Sequence, residues 1–209
     1  ESLVEVLNGK RVVHFHTHKA NDILTAIRLG KEFGFKPVLH HVSDGWKVAD
    51  EISAAGLASS IITIDAPGGK LEAMQVSLNT GAALEKAGAA VGFHTDDGIT
   101  DSRFFIRSAA LMVRAGMSKD KALEGLTLAG AKMLDLSSRV GSLQKGKDAD
   151  FIILDGDPFS IYTHVQQTWV EGIKRWDISR PADKAFLFGG YDVYSPIRGE
   201  FHHHVDEDQ

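Results

Sequence analysis

Cysteine is absent from this 209-residue chain, which excludes disulfides and thiolate metal sites, so any metal must be held by His, Asp or Glu. Long apolar runs are missing too: none approaches the roughly 20 residues needed to cross a bilayer. The opening residues, ESLVEVLNGKR, lack the apolar core of a signal peptide and read as the tail of a helix. No membrane partner is expected. The compartment is left open, with the cytoplasm favoured, because the start of a precursor could lie upstream. An excess of positive charge is lacking as well. With 23 basic and 28 acidic residues the formal net charge is -5, which gives no broad basic surface for nucleic acid.

What is present is an ordinary globular composition, 43% hydrophobic and 24% charged, able to bury a core. The length suits one or two domains but falls short of the about 250 residues of an α/β barrel. From Arg11 a unit repeats: a short β-branched or apolar run, a polar loop, an amphipathic helix and a Gly. The runs are 11–16 (RVVHFH), 36–41 (KPVLHH), 59–64 (SSIITI) and 89–94 (AAVGFH), and all four read as strands. Between the first two, Ile23, Ala26, Ile27, Gly30 and Phe33 follow helical spacing, with a stop at Gly34. WKVADEISAAG and LNTGAALEKAG behave alike, ending at Gly56 and Gly88. Strands alternating with helices over short connections imply right-handed crossovers and a parallel sheet. Two more helices are expected over 102–115 and 118–134, the second capped by Ser118 with Asp120 in its first turn.

After Leu136 the period changes from helical to alternating. GSLQKGKDADFIILDGDP reads as a strand, and VQQTWVEGIKRWD as a hairpin turning near Glu171 and Gly172. From about Ile178 no periodicity persists, and the closing FHHHVDEDQ is expected to be exposed or to dock on a partner chain.

The chemically loaded residues fall where strands end. His14, His16 and His18 alternate and so share a face of the first strand; His40 and His41 close the second; His94, Asp96 and Asp97 close the fourth. In a parallel α/β barrel reactive groups gather at those ends. Imidazoles with a carboxylate and no thiol suit zinc, manganese or a similar divalent ion, which lowers the pKa of water and polarises a carbonyl. Asp96 is the best-placed general base. A lone His at a strand end is more often a hydrogen-bonding residue, and FHTDDG alone could be a polar helix cap. Three strand ends that all carry His or Asp favour a shared site. His202, His203 and His204 read as a solvated tail.

HFHTHKANDILTAIRLGKEFG, VLHHVSDGW, AVGFHTDDG and above all RVGSLQKGKDADFIILDGDP resemble the second half of the amidohydrolase superfamily, near its imidazolonepropionase-like and prolidase-like members, over about residues 10 to 176. The resemblance implies an α/β fold: residues 1–136 as the C-terminal half of a TIM-type (β/α)8 barrel, 137–178 as a small β-sandwich portion, and 179–209 as a C-terminal extension. It implies His16 and His41 as ligands of one metal, zinc foremost, and Asp96 as ligand of a neighbouring ion and as catalytic base. His16 is preferred to His18 as the first His of a His-x-His pair, His41 to His40 as the residue directly before the loop, and Asp96 to Asp97 because it follows Thr95. His18 and His94 are left as substrate contacts.

The implied activity is metal-assisted hydrolysis of a C–N bond in a small amide or cyclic amide. A ring deaminase and a non-catalytic βα scaffold are the alternatives. The resemblance also implies missing parts, because the family's His-x-His of strand one and its Lys or Glu of strand four have no counterpart here. The first half of the barrel is then expected on the same gene product or on a second chain. Alone, a half barrel exposes strand edges and should self-associate, making a homo-oligomer the expectation. With only two ligands to one metal, binding by this chain alone is expected to be weak.

Overall fold

The computed structural model describes residues 2–62, 70–97 and 99–188. In chain order its elements are α1 (Ser2–Leu7), β1 (Val13–Thr17), α2 (Ala20–Phe33), β2 (Pro37–His41), α3 (Ala49–Ala54), β3 (Ala58–Ile61), α4 (Asn79–Ala87), β4 (Ala90–Phe93), α5 (Phe105–Arg114), α6 (Lys119–Leu126), α7 (Leu128–Met133), β5 (Phe151–Leu154), β6 (Val165–Val170), β7 (Ile173–Asp177) and α8 (Pro181–Phe188). Single 3-10 turns lie at Gly45–Lys47, Leu71–Ala73 and Ser102–Phe104. No helix among the described residues is long and apolar enough to cross a membrane.

The first four strands form one parallel sheet in the order β1-β2-β3-β4, as the βα punctuation predicts. In its register His16 stands beside His40, and His40 beside Ser60. Helix α2 shows why the chain crosses over here. Its apolar stripe, Ile23, Ala26 and Ile27, is buried and packs with Leu39, Ile61, Val91 and Phe93 from one face of the sheet. The helix stops at Gly34, whose φ of 75° is left-handed and whose N–H reaches the Gly30 carbonyl, a conformation that Gly adopts without penalty. Period-two alternation sends Val38 and Ala58 to the opposite face, where they meet Ala129 and Met133 of α7.

After 140 the structure is antiparallel, with β5, β6 and β7 in that order. Glu171 and Gly172, at φ 51° and 72°, form the two-residue turn between β6 and β7, the left-handed pair that a tight hairpin requires. Phe151 stacks on Trp169 across β5 and β6, with ring centroids 5.6 Å apart.

Four elements differ from expectation. The helix over 118–134 is two helices, broken at Thr127 (φ -134°, ψ -91°), whose hydroxyl bonds back to the Leu123 carbonyl at 2.8 Å and so competes with the helical ladder. Ser118 does cap α6, its Oγ accepting from the Lys121 N–H. Of the strand expected over 141–158 only Phe151–Leu154 pairs. Ahead of it Lys147 ties the chain into a loop, its ammonium donating to Ser142 Oγ at 2.8 Å and to the carbonyls of Ser137 and Val140. Beyond Ile178 a helix forms, started by Pro181 at its first position and tied to β7 where Asp177 N–H donates to Asp183 Oδ2 at 3.0 Å. The third strand ends at Ile61; residues 63 and 64 of that expected run, and His202, His203 and His204, lie outside the described residues.

Candidate metal centre

Six imidazoles collect along β1 and at the C-terminal ends of β2 and β4. His14 and His16 belong to β1 and His18 follows it; His40 and His41 end β2; His94 follows β4. Alternation alone would send His40 and His41 to opposite faces. The chain avoids this with a tight turn. His41 has φ 65°, and Val42, at φ 53°, donates its N–H to the His40 carbonyl and the Thr17 carbonyl, both at 2.8 Å. A left-handed β-branched residue is rare, and such strain persists only where the surroundings enforce it, commonly at functional sites. Three residues on, Gly45 leaves room for this turn, because a Cβ there would lie 2.3 Å from Val42 Cγ1.

The result is a nest of three. His16, His18 and His41 each offer a ring nitrogen, and these atoms all lie within 4.8 Å of one another. The rings of His18 and His41 are stacked with centroids 4.6 Å apart, and His16 stands edge-on to His41 at 4.4 Å. Groups behind them fix the rings. His18 Nδ1 is 2.7 Å from Ser43 Oγ, a contact buried from solvent. His41 Nδ1 is 3.1 Å from His94 Nε2, and His94 Nδ1 is 2.9 Å from Ser60 Oγ. If His94 donates to Ser60 and His41 donates to His94, the free lone pair of His41 is on Nε2. Such outer partners set the tautomer and orientation of metal-binding histidines. His14 and His40 form a separate pair, with Nδ1 and Nε2 2.7 Å apart.

Burial and mutual repulsion favour the uncharged form of four of these rings. Burial, with added repulsion from His18 and His16, lowers His41 to about 4, and Asp96 offsets part of this. Burial and then the neighbouring His41 lower His94 to about 3. His18 and His40 are also lowered, by burial first and then by His16 and His14 respectively. Neutral imidazole is the form that binds a metal ion.

Of the residues singled out from the sequence, His16 and His41 are brought together, and His18 joins them rather than standing apart. His94 has both ring nitrogens engaged, behind His41. Asp96 lies beyond β4 at φ 51°, exposed, and its charge acts on His18, His40 and His41; it is not within the three-histidine nest. Asp97 is held by Ser102, whose Oγ donates to Asp97 Oδ1 at 2.8 Å. Glu72 stands in no motif, yet its Oε1 lies 3.3 Å from His16 Nε2 and 3.8 Å from His18 Nε2. It comes from a 3-10 turn outside every motif and every alternating run, so no local signal marked it. Ser43, inside VLHHVSDGW, and Ser60, inside the third strand run, were missed for a different reason: a serine in such a segment carries no signal of its own.

A family model described as "Amidohydrolase family" matches residues 9–176. Amidohydrolase tasK of Hapsidospora irregularis is 26% identical over 194 residues, covering 88% of this chain and 20% of its own length. Imidazolonepropionase of Pseudomonas savastanoi pv. phaseolicola is 28% identical over 148 residues, 68% of this chain and 31% of that protein. The solved structure of an amidohydrolase from Thermotoga maritima superposes with a TM-score of 0.78 at 31% identity, over 83% of this chain and 45% of that one. The chain thus spans a fifth to a third of these curated relatives and under half of the solved one.

Proposed function

This chain belongs to the amidohydrolase family, and from that premise we propose that it supplies part of a metal-dependent centre that hydrolyses a carbon–nitrogen bond of a small amide or cyclic amide. The observation that carries the reading is the convergence of His16, His18 and His41 at the C-terminal ends of parallel strands, the end where barrel enzymes hold their reactive groups.

The residues fit a divalent ion. Three imidazoles, of which His18 and His41 are held towards the neutral form by burial and braced through Nδ1 by Ser43 and His94, form a donor set that zinc takes readily. Such an ion, when bound, lowers the pKa of water and polarises a carbonyl. Asp96, close enough for its charge to act on the histidines, accepts the proton of the attacking water and returns it to the leaving nitrogen. His94 holds His41 in the tautomer that presents Nε2, and Ser43 does the same for His18. The buried floor of Leu39, Ile61 and Phe93 behind the sheet keeps these side chains from relaxing outward.

Both β1 and β4 end the sheet, and the matched relatives extend well beyond this chain. In this reading four further barrel strands, from the same gene product or another chain, complete the sheet and the substrate pocket. The test is hydrolysis of a panel of small linear and cyclic amides with zinc or manganese, by this chain with and without a polypeptide carrying those strands. Turnover should appear with the completed barrel and fall by about 100-fold or more in Asp96→Asn, the range for loss of a general base. Turnover undiminished in Asp96→Asn would remove Asp96 from the chemistry, and no turnover on any amide would remove the hydrolase reading.

A further inference from the structure

We propose that Glu72 is a fourth metal-ligating group of the centre, a carboxylate delivered from the 3-10 turn that follows β3. The inference deepens the metal reading given above and rests on it.

Its oxygen stands at ligand spacing from two of the three histidines. Around a tetrahedral ion with metal–ligand distances of about 2.0 to 2.2 Å, neighbouring donor atoms stand about 3.4 Å apart. Glu72 Oε1 is 3.3 Å from His16 Nε2 and 3.8 Å from His18 Nε2. On His18 the nitrogen concerned is the outward one, because Nδ1 is taken by Ser43. A single carboxylate oxygen therefore approaches the available nitrogens of two imidazoles from different positions on β1 and the loop after it. That shared oxygen, not the carboxylate's mere proximity, distinguishes a ligand position from a surface ion pair.

The turn that carries Glu72 is anchored. Ala73 is buried and its N–H donates to the Lys70 carbonyl at 3.0 Å, while Val76 N–H donates to the Ala73 carbonyl at 3.1 Å. Lys70 Nζ also stands 3.8 Å from the same Oε1. Being more than half exposed, it holds the carboxylate weakly. Neutral imidazole is the form that binds a metal ion, so an anionic donor lowers the charge of a divalent ion with three imidazoles from +2 to +1.

The consequence concerns completeness. With His16 and His41 alone the chain would own too few donors for a stable site; with His18 and Glu72 added, four donors come from β1 and the loop after it, from β2, and from the 3-10 turn Leu71–Ala73, all within this chain. A titration of the metal-free 209-residue chain with Co(II), followed by visible absorption, tests this. The wild-type chain should take up one equivalent, with the visible bands of an ion that these four donors hold and that keeps a further position for water. Glu72→Gln and Glu72→Ala should bind at least about tenfold more weakly, the lower limit for loss of even a supporting group, and their bands should change in position and intensity. Lys70→Ala should match wild type. Equal affinity and an unchanged spectrum in Glu72→Gln would overturn the ligand assignment while leaving the three-histidine site standing. Failure of the wild-type chain to bind cobalt at all would overturn the metal reading and this inference with it.

Discussion

Replacing Ser43 by Ala probes the brace behind His18 with little change of volume. Ser43 and His18 are 2% and 5% exposed, and the 2.7 Å contact between Oγ and Nδ1 is sealed from water. In the metal-binding tautomer Nδ1–H donates to Oγ. Removing Oγ strands a buried polar hydrogen, which costs about 1–3 kcal/mol. It also frees the ring to turn, and loss of a group that orients a metal-binding histidine weakens metal affinity about 10- to 100-fold, or about 1.4–2.8 kcal/mol. Urea unfolding of the metal-free chain measures the first effect, and competition against a chromogenic chelator the second. Both should move together in Ser43→Ala. Unchanged stability and an affinity within about twofold of wild type would refute the claim that Ser43 holds His18 in place.

Three further outcomes are expected. Gly34→Ala should lose about 1 kcal/mol in urea unfolding, because φ 75° disfavours a side chain while a Cβ there meets nothing within 4 Å; a neutral result would mean the helix end relaxes. Ser118→Ala removes the cap of α6 and should cost about 0.5–2 kcal/mol, visible as a lower thermal midpoint with no change in metal uptake. The metal-free chain should lose stability as the pH falls from 6.5 to 5. His41 and His94 titrate near 4 and 3 when folded but near 6.5 when unfolded, so the unfolded state binds more protons in that window. Their stabilising effect is complete above pH 6.5 and disappears as the pH drops through the folded values. A flat urea midpoint between pH 6.5 and 5, where carboxylates are still ionised, would contradict the burial of these rings.

The sequence reveals the parallel sheet because each strand run is bounded by a helical stripe and a Gly, and both periods survive in the packing: Ile23, Ala26 and Ile27 are buried together, as their spacing requires. The hairpin at Glu171 and Gly172 is equally legible, since two left-handed residues have a chemical signature. Two failures have a common cause. The break at Thr127 and the loop over 141–150 depend on single side-chain bonds, from the Thr127 hydroxyl and the Lys147 ammonium, and periodicity does not register them. At the site, alternation correctly places His16 and His18 on one side. Alternation also predicts that His41 faces away from His16, and only the left-handed turn at His41 and Val42 brings it round. Glu72 is invisible in the sequence for a third reason: it arrives by tertiary contact from a turn without a motif.

The central claim is that His16, His18 and His41 hold a divalent metal ion. Anomalous diffraction at the zinc edge, from crystals grown with one equivalent of zinc, tests it most directly. A peak should appear about 2.0–2.1 Å from His16 Nε2, His18 Nε2 and a ring nitrogen of His41. A peak confined to His202, His203 and His204, or at His14 and His40 alone, would contradict the account.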